Sequence, residues 1–198
     1  FVSVGNLFIQ ALINSFGVDA VAGYSAAVRL NTFVITSFTT VGNSISNFVA
    51  QNHGADQPDR VRKSYKLGLL LTLAIALPVI ALFLLLPEPL IGLFMDGSKG
   101  DISAALKIGT DFLRIVSPFY VLICTKLVAD GVLRGVGAMA PFMVSTFSDL
   151  ILRVILAYLL TVPLGLTGIW ISWPIGWAAA ALLSRIFYTR LPWLKPRQ

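Results

Sequence analysis

Two pairs of opposite charges stand where charge is expensive. Asp149 and Arg153 lie four residues apart in a long apolar run, and Lys126 and Asp130 repeat that spacing in another. Residues at i and i+4 share a helical face, so each pair can close an ion pair within its own helix. Arg153 is twelve residues past Pro141, roughly 18 Å along a helix and close to mid-membrane if the run spans a bilayer. An unpaired charge at that depth costs about 2.5–3.5 kcal/mol. Two chemistries are open to such a pair: fixing helix packing, or taking part in the coupled movement of an ion. Packing is the better reading for Asp149–Arg153. Lys126–Asp130 lies nearer the end of its run, where a lysine can reach the interface along its own stem. Arg114, three residues past Asp111, is expected to pair with it.

Uncharged polar residues form two stripes. Asn6, Gln10 and Asn14 recur every four residues and therefore share a helical face. The next apolar run carries Asn31, Thr32, Thr36, Thr39, Thr40, Asn43, Asn47 and Gln51, mostly at three- or four-residue intervals. Lipid cannot satisfy amides, so both stripes must face other helices or water. Stripes on two consecutive helices favour a cavity, with Asn6, Gln10, Asn14, Thr36, Asn43 and Asn47 as its candidate lining. Pro118 and Pro174 lie inside apolar runs, where proline frees a carbonyl and kinks a helix. Trp170, Trp173 and Trp177 surround Pro174. Broken helices line cavities in transporters. Tryptophan faces can stack on organic cations, although the membrane interface is their commoner place.

Catalytic and metal signatures are missing from the sequence. There is no Walker loop, no H-E-x-x-H and no G-x-S-x-G. One cysteine, Cys124, and one histidine, His53, exclude an internal disulfide and a Cys- or His-cluster metal site. The glycine-rich run Gly131–Gly137 follows a helix and lacks the Lys-Ser/Thr of a phosphate cradle. The expectation is a non-enzyme without cofactor or metal.

The elements that must position these residues follow from composition. Of 198 residues, 57% are hydrophobic and 12% charged, against roughly 25% charged in soluble domains. Six long apolar stretches read as membrane spans, at about 1–17, 26–50, 67–86, 106–132, 141–162 and 169–188. The chain opens within the first of them and without Met, so the first span is expected to be truncated. A turn is expected at Gly17, Asp19 and Gly23, a polar basic segment over 51–66, and a short interfacial stub over 90–95. Strands of a barrel would be shorter and would alternate; the run 67–86 does not. The net charge of +6 is spread in short clusters between spans, which is the pattern of topology signals rather than of nucleic-acid binding. Arg60, Arg62, Lys63 and Lys66 follow the second span, Arg134 the fourth, and Arg185, Arg190, Lys195 and Arg197 the sixth. Those sides should be cytoplasmic, and with them both ends of the chain. The loop Asp96–Asp101 falls on the opposite side, and Trp193 suits an interface.

With these elements placed, two motifs gain meaning. The run GVLRGVGAMAP, Gly131 to Pro141, resembles a loop signature of the multidrug and toxic compound extrusion (MATE) transporters, L-R-G-x-G-x3-P, here Leu133, Arg134, Gly135, Gly137 and Pro141. The run VAQNHGADQPDRVRK, Val49 to Lys63, resembles the second signature, a helix ending in Q-N-x-G-A before a basic loop. Residues Gly5 to Leu30 resemble the first helical hairpin of the family's second half.

The resemblance implies an all-α integral membrane protein of the MOP superfamily. It implies a six-transmembrane-helix bundle, residues 1–198, forming the C-terminal lobe of a twelve-helix inverted-V antiporter, helices seven to twelve. The N-terminal six-helix lobe would be its partner, and the Gly131–Pro141 loop would shape the cytoplasmic gate. Family members export drugs or other organic, often cationic, compounds across the cell membrane, driven by inward H+ or Na+. In the Na+-coupled norfloxacin-efflux branch, the second lobe supplies carboxylates on its first and fourth helices. Here the first helix has no acid, and the fourth has Ile123 at the matching position, so the resemblance leans to the DNA-damage-inducible branch and to H+. Two alternatives stand beside it: a lipid-linked oligosaccharide flippase of the same superfamily, and a self-contained six-span permease or channel subunit. A flippase needs a cationic cavity, so Arg29, Arg114, Lys126 and Arg153 would have to converge.

Overall fold

A computed structural model describes residues 2–95 and 102–191, with side chains described from Gly5 onward. The Asp96–Asp101 loop, Trp193, Lys195 and Arg197 lie outside the described residues. Among the described residues, eight α-helices follow one another: α1 Val2–Asn14, α2 Val18–Gly54, α3 Pro58–Leu85, α4 Pro87–Gly92, α5 Ser103–Val116, α6 Tyr120–Gly135, α7 Met139–Leu164 and α8 Leu166–Arg190. A 3-10 turn, Ser117–Phe119, joins α5 to α6. Among the described residues there is no strand.

Several helices run further than the apolar pattern predicts. The first turn closes at Gly17, whose φ of +93° only glycine adopts readily, and Asp19 and Gly23 already belong to α2. Gly23 is a packing residue: a Cβ there would lie 2.3 Å from the Ala105 carbonyl oxygen of α5. The polar segment expected over 51–66 is helical except at Ala55–Gln57. Asp59 sits in the first turn of α3, behind Pro58 at its start, where proline and an acid both suit a helix N-terminus. The stub expected over 90–95 begins earlier, as α4.

The two prolines behave differently. Pro118 breaks the fourth span into α5 and α6 through the 3-10 turn, as its missing N–H requires. Pro174 lies inside α8, and the helix runs through it. Ser172 Oγ donates to the Ile169 carbonyl at 2.6 Å in the preceding turn.

Among the described residues, Pro58–Leu85, Ser103–Gly135, Met139–Leu164 and Leu166–Arg190 are long and apolar enough to cross a membrane. The 37-residue α2 is about 55 Å long, more than the ~30 Å hydrocarbon core requires, but its polar stripe lowers its hydropathy. It packs against α3, α5 and α6, while α7 lies along α8. The α2–α6 crossing is close because glycines meet: a Cβ on Gly131 would stand 2.5 Å from the Gly42 carbonyl oxygen, and one on Gly135 2.6 Å from that of Ser46. Such small-residue seams let backbones approach where lipid gives no hydrophobic drive. Aromatic rings fill the interior. Tyr24 stacks on Trp170 at 5.5 Å, and Phe112 meets Trp170 and Trp173 edge-on at 5.1 and 5.6 Å. Arg114 does not pair with Asp111. Its guanidinium turns toward Glu88 of α4, 3.9 Å away and solvent-exposed, because α4 packs against α5.

Candidate functional site

A cavity of about 570 Å³ opens between α1, α2, α6, α7 and α8. Asn6 and Gln10 line it from α1, and Asn31, Thr32, Thr36 and Thr39 from α2. The opposite wall combines Ile123, Lys126 and Leu127 of α6 with Thr146, Asp149, Leu150 and Arg153 of α7 and Trp173 and Trp177 of α8. Asp149, Arg153 and Lys126 therefore reach the same cavity as the amides, while Asp130 does not line it. Asn14, Asn43 and Asn47 are exposed outside it; Asn14 accepts a hydrogen bond from Gln10 Nε2 at 2.9 Å.

Several hydroxyls of α2 find partners within the helix itself. Ser37, Thr39, Thr40 and Ser44 each donate to the carbonyl four residues earlier, at 2.8–3.1 Å. A helix can satisfy a hydroxyl from within; an amide, with two donors and an acceptor, needs a partner outside. Asn31 finds one in the buried Tyr120 hydroxyl, which donates to its Oδ1 at 2.9 Å.

Asp149 and Arg153 join through Oδ2 and Nη2 at 3.1 Å, both nearly buried. The Arg153 guanidinium also lies 4.7 Å from the Trp173 ring centroid, a cation–π contact strengthened by the lack of water. Asp149 Oδ1 faces the bare backbone of Gly176, where a Cβ would stand 2.6 Å away. Asp149 can occupy this position because α8 carries glycine opposite it, a requirement that i,i+4 spacing does not reveal. Thr146 Oγ1, Asp149 Oδ1, Arg153 Nε and Trp173 Nε1 are buried without a hydrogen-bond partner among the described residues. This wall holds polar capacity that its own residues leave unused.

Lys126 does not reach for the interface. Its Nζ lies 2.6 Å from Asp130 Oδ2, with side-chain exposures of 6% and 2%. Asp130 Oδ1 accepts from Ser184 Oγ at 2.6 Å, and Ser184 Oγ meets Ser145 Oγ at 2.5 Å. With the Ser184 proton committed to the carboxylate, Ser145 is the donor to Ser184. This network ties α6, α8 and α7 together, and its hydroxyls make the buried carboxylate a better partner than the interface. Ser145 and Ser184 were not predicted from sequence; a lone serine in an apolar run gives no periodic signal.

The four cations required for an oligosaccharide-binding cavity do not converge. Lys126 and Arg153 line the central cavity, each with its own carboxylate. Arg29 borders a separate pocket beside Met95 and Ile102, and Arg114 faces Glu88. Among the described residues, no group of three His, Cys, Asp or Glu side chains is placed to hold a metal ion.

The two signature loops build the same turn. After α6, Ala138 N–H donates to the Leu133 carbonyl and Gly137 N–H to that of Arg134, with Gly137 at φ +77°. After α2, Gln57 N–H donates to Asn52 and Asp56 N–H to His53, with Asp56 at φ +52°. Both are Schellman closures, in which one left-handed residue satisfies the last carbonyls. Leu133 is fully buried, Arg134 lies 5.3 Å from the Phe142 ring centroid, Gly135 seats α6 on α2, and Pro141 falls in the first turn of α7.

Comparison with known proteins extends this geometry. The probable multidrug resistance protein YoeA of Bacillus subtilis is 24% identical over 94% of this chain and 40% of its own length. A multidrug-resistance MATE transporter of the MOP superfamily in an outward-facing conformation superposes with a TM-score of 0.85. It is 21% identical, and the match covers 95% of this chain and 42% of that one. An inward-facing conformation gives 0.84 at 21% identity, over 95% and 43%. The chain thus spans about two fifths of the proteins it resembles. The MatE family model matches residues 1–159, a stretch that includes both Schellman turns and the Asp149–Arg153 pair, and the chain belongs to that family, with the MOP-superfamily fold.

Proposed function

We propose that this chain is half of a cation-coupled antiporter that exports organic, often cationic, compounds across the cytoplasmic membrane. The observation that carries the proposal is the cavity. It joins an amide-lined side, an aromatic side, the Asp149–Arg153 pair and Lys126, which Asp130 neutralises from outside the lining, and it opens beside the exposed face of α1 and α2. Such a mixture binds flat, apolar cations without committing to one shape. The exposed Asn6, Asn14, Asn43 and Asn47 would face a second six-helix lobe, and the ends of this half would be cytoplasmic. Resemblance to multidrug resistance proteins supports the same reading.

Ile123 lines the cavity where the Na+-coupled branch carries an acid, and Asp149 is already matched by Arg153. The coupling ion is therefore H+, handled by a carboxylate of the partner lobe. The test is ethidium accumulation in efflux-deficient cells expressing the full-length protein that contains this segment. Lower accumulation, reversed by a protonophore, is expected. Unchanged retention despite confirmed membrane insertion refutes the export reading, and export driven by a Na+ gradient alone refutes the H+ assignment.

A further inference from the structure

A second pocket lies away from the central cavity. Arg62, Tyr65, Lys66, Leu69, Leu70 and Leu73 of α3 face Arg185 and Tyr188 of α8 across a cleft of about 520 Å³. We propose that this cleft binds an anionic phospholipid, with its phosphate among Arg62, Lys66 and Arg185 and one acyl chain along Leu69, Leu70 and Leu73.

The cleft is graded like a lipid. Its cations lie toward the start of α3 and its leucines deeper in the same helix. From Arg62 to Leu73 is roughly 16 Å of helix, enough for a headgroup and the upper part of a chain. Leu70 and Leu71 are 64% and 58% exposed on a helix fit to cross a membrane, so this surface meets acyl chains. A free phosphate would leave the leucines uncovered. Basic clefts between spanning helices, on the side where Lys and Arg cluster, suit the anionic headgroups of the cytoplasmic leaflet.

The cationic end is built rather than incidental. The Tyr65 and Tyr188 rings stack at 4.2 Å, and the Arg185 guanidinium lies 5.2 and 5.8 Å from their centroids. Arg185 is thus held over the cleft instead of ranging through solvent. Tyr65 is buried, and its hydroxyl has no hydrogen-bond partner among the described residues. Arg62 also contacts Asp59 at 3.2 Å, but that carboxylate is 82% exposed and stands at the outer end of the groove, away from the leucines.

Native mass spectrometry of the full-length protein in detergent tests the proposal, with dioleoyl phosphatidylglycerol, dioleoyl phosphatidylcholine and inorganic phosphate as separate additions. Phosphatidylglycerol is expected to bind in preference to phosphatidylcholine, and phosphate is expected neither to bind nor to displace it. Lys66→Glu should weaken phosphatidylglycerol binding by about 30-fold, since it removes one positive charge and adds one negative charge, while unfolding in lipid-free detergent stays unchanged because Lys66 is exposed. Leu70→Gln should weaken it as well. Equal binding of the two lipids, full competition by phosphate, or undiminished affinity in Lys66→Glu would overturn the assignment.

Discussion

Replacing Arg153 by methionine isolates the cost of a lone charge inside this bundle. Asp149 and Arg153 sit ten and fourteen residues past the start of the 26-residue α7, roughly 15 and 21 Å along its axis. Methionine keeps most of the side-chain volume and removes the charge. Asp149 then loses its 3.1 Å contact, with Gly176 backbone on its other oxygen. A carboxylate unpaired at mid-membrane costs about 2.5–3.5 kcal/mol, and loss of the Trp173 contact adds about 0.5–2 kcal/mol. The expected destabilisation is therefore about 3–5.5 kcal/mol. Asp149→Asn combined with Arg153→Met removes both charges and should recover all but about 1–2 kcal/mol, since the buried ion pair itself contributes little net stability. Equilibrium unfolding in mixed SDS micelles, followed by tryptophan fluorescence, measures the cycle. A coupling energy below about 0.5 kcal/mol would refute the claim that Arg153 is retained to neutralise Asp149.

Two further substitutions test the packing and the buried network. Gly131→Val should disrupt the α2–α6 seam, because its Cβ would lie 2.5 Å from the Gly42 carbonyl oxygen; a loss of about 1–3 kcal/mol or more is expected. Gly54→Ala, with nothing within 4 Å of the added carbon, should leave the unfolding midpoint nearly unchanged, and similar behaviour of the two would contradict the seam. Ser184→Ala strips Asp130 Oδ1 of its donor and should cost about 1–3 kcal/mol in the same unfolding assay, whereas an effect as small as that of an exposed serine would show that the network is not a structural tie.

Spacing made some of the site legible and left other parts hidden. The i,i+4 charges pair within their own helices, as their separation allows, and Asp149, Arg153 and Lys126 reach one cavity. That convergence depends on how α6, α7 and α8 cross, which no single-helix pattern encodes. The glycines that set the crossings looked alike in sequence: Gly23, expected in a turn, and Gly131, read within a loop signature, both press helix against helix. For Arg114 the sequence offers only the local partner Asp111, whereas α4 packs on α5 and brings Glu88 within reach. The Thr and Ser positions of α2 share the polarity of its amides but not their demand. A hydroxyl can return its proton to the preceding turn, so a polar stripe overstates how much of a helix must face water.

The unbroken length of α2 has a mechanical consequence. Thr36 borders the cavity, and Gly54, eighteen residues on, ends the same helix at the basic turn. A stiff rod transmits tilt without loss and magnifies it with distance. Rotation of about 10° around Thr36 would carry Gly54 through roughly 5 Å, over a span of about 27 Å. The glycine seam with α6 couples that motion to the second Schellman turn, which lies at the end of α6. Small adjustments of the cavity wall would thus be geared into larger displacements of both turns together, with no hinge inside α2 to absorb them.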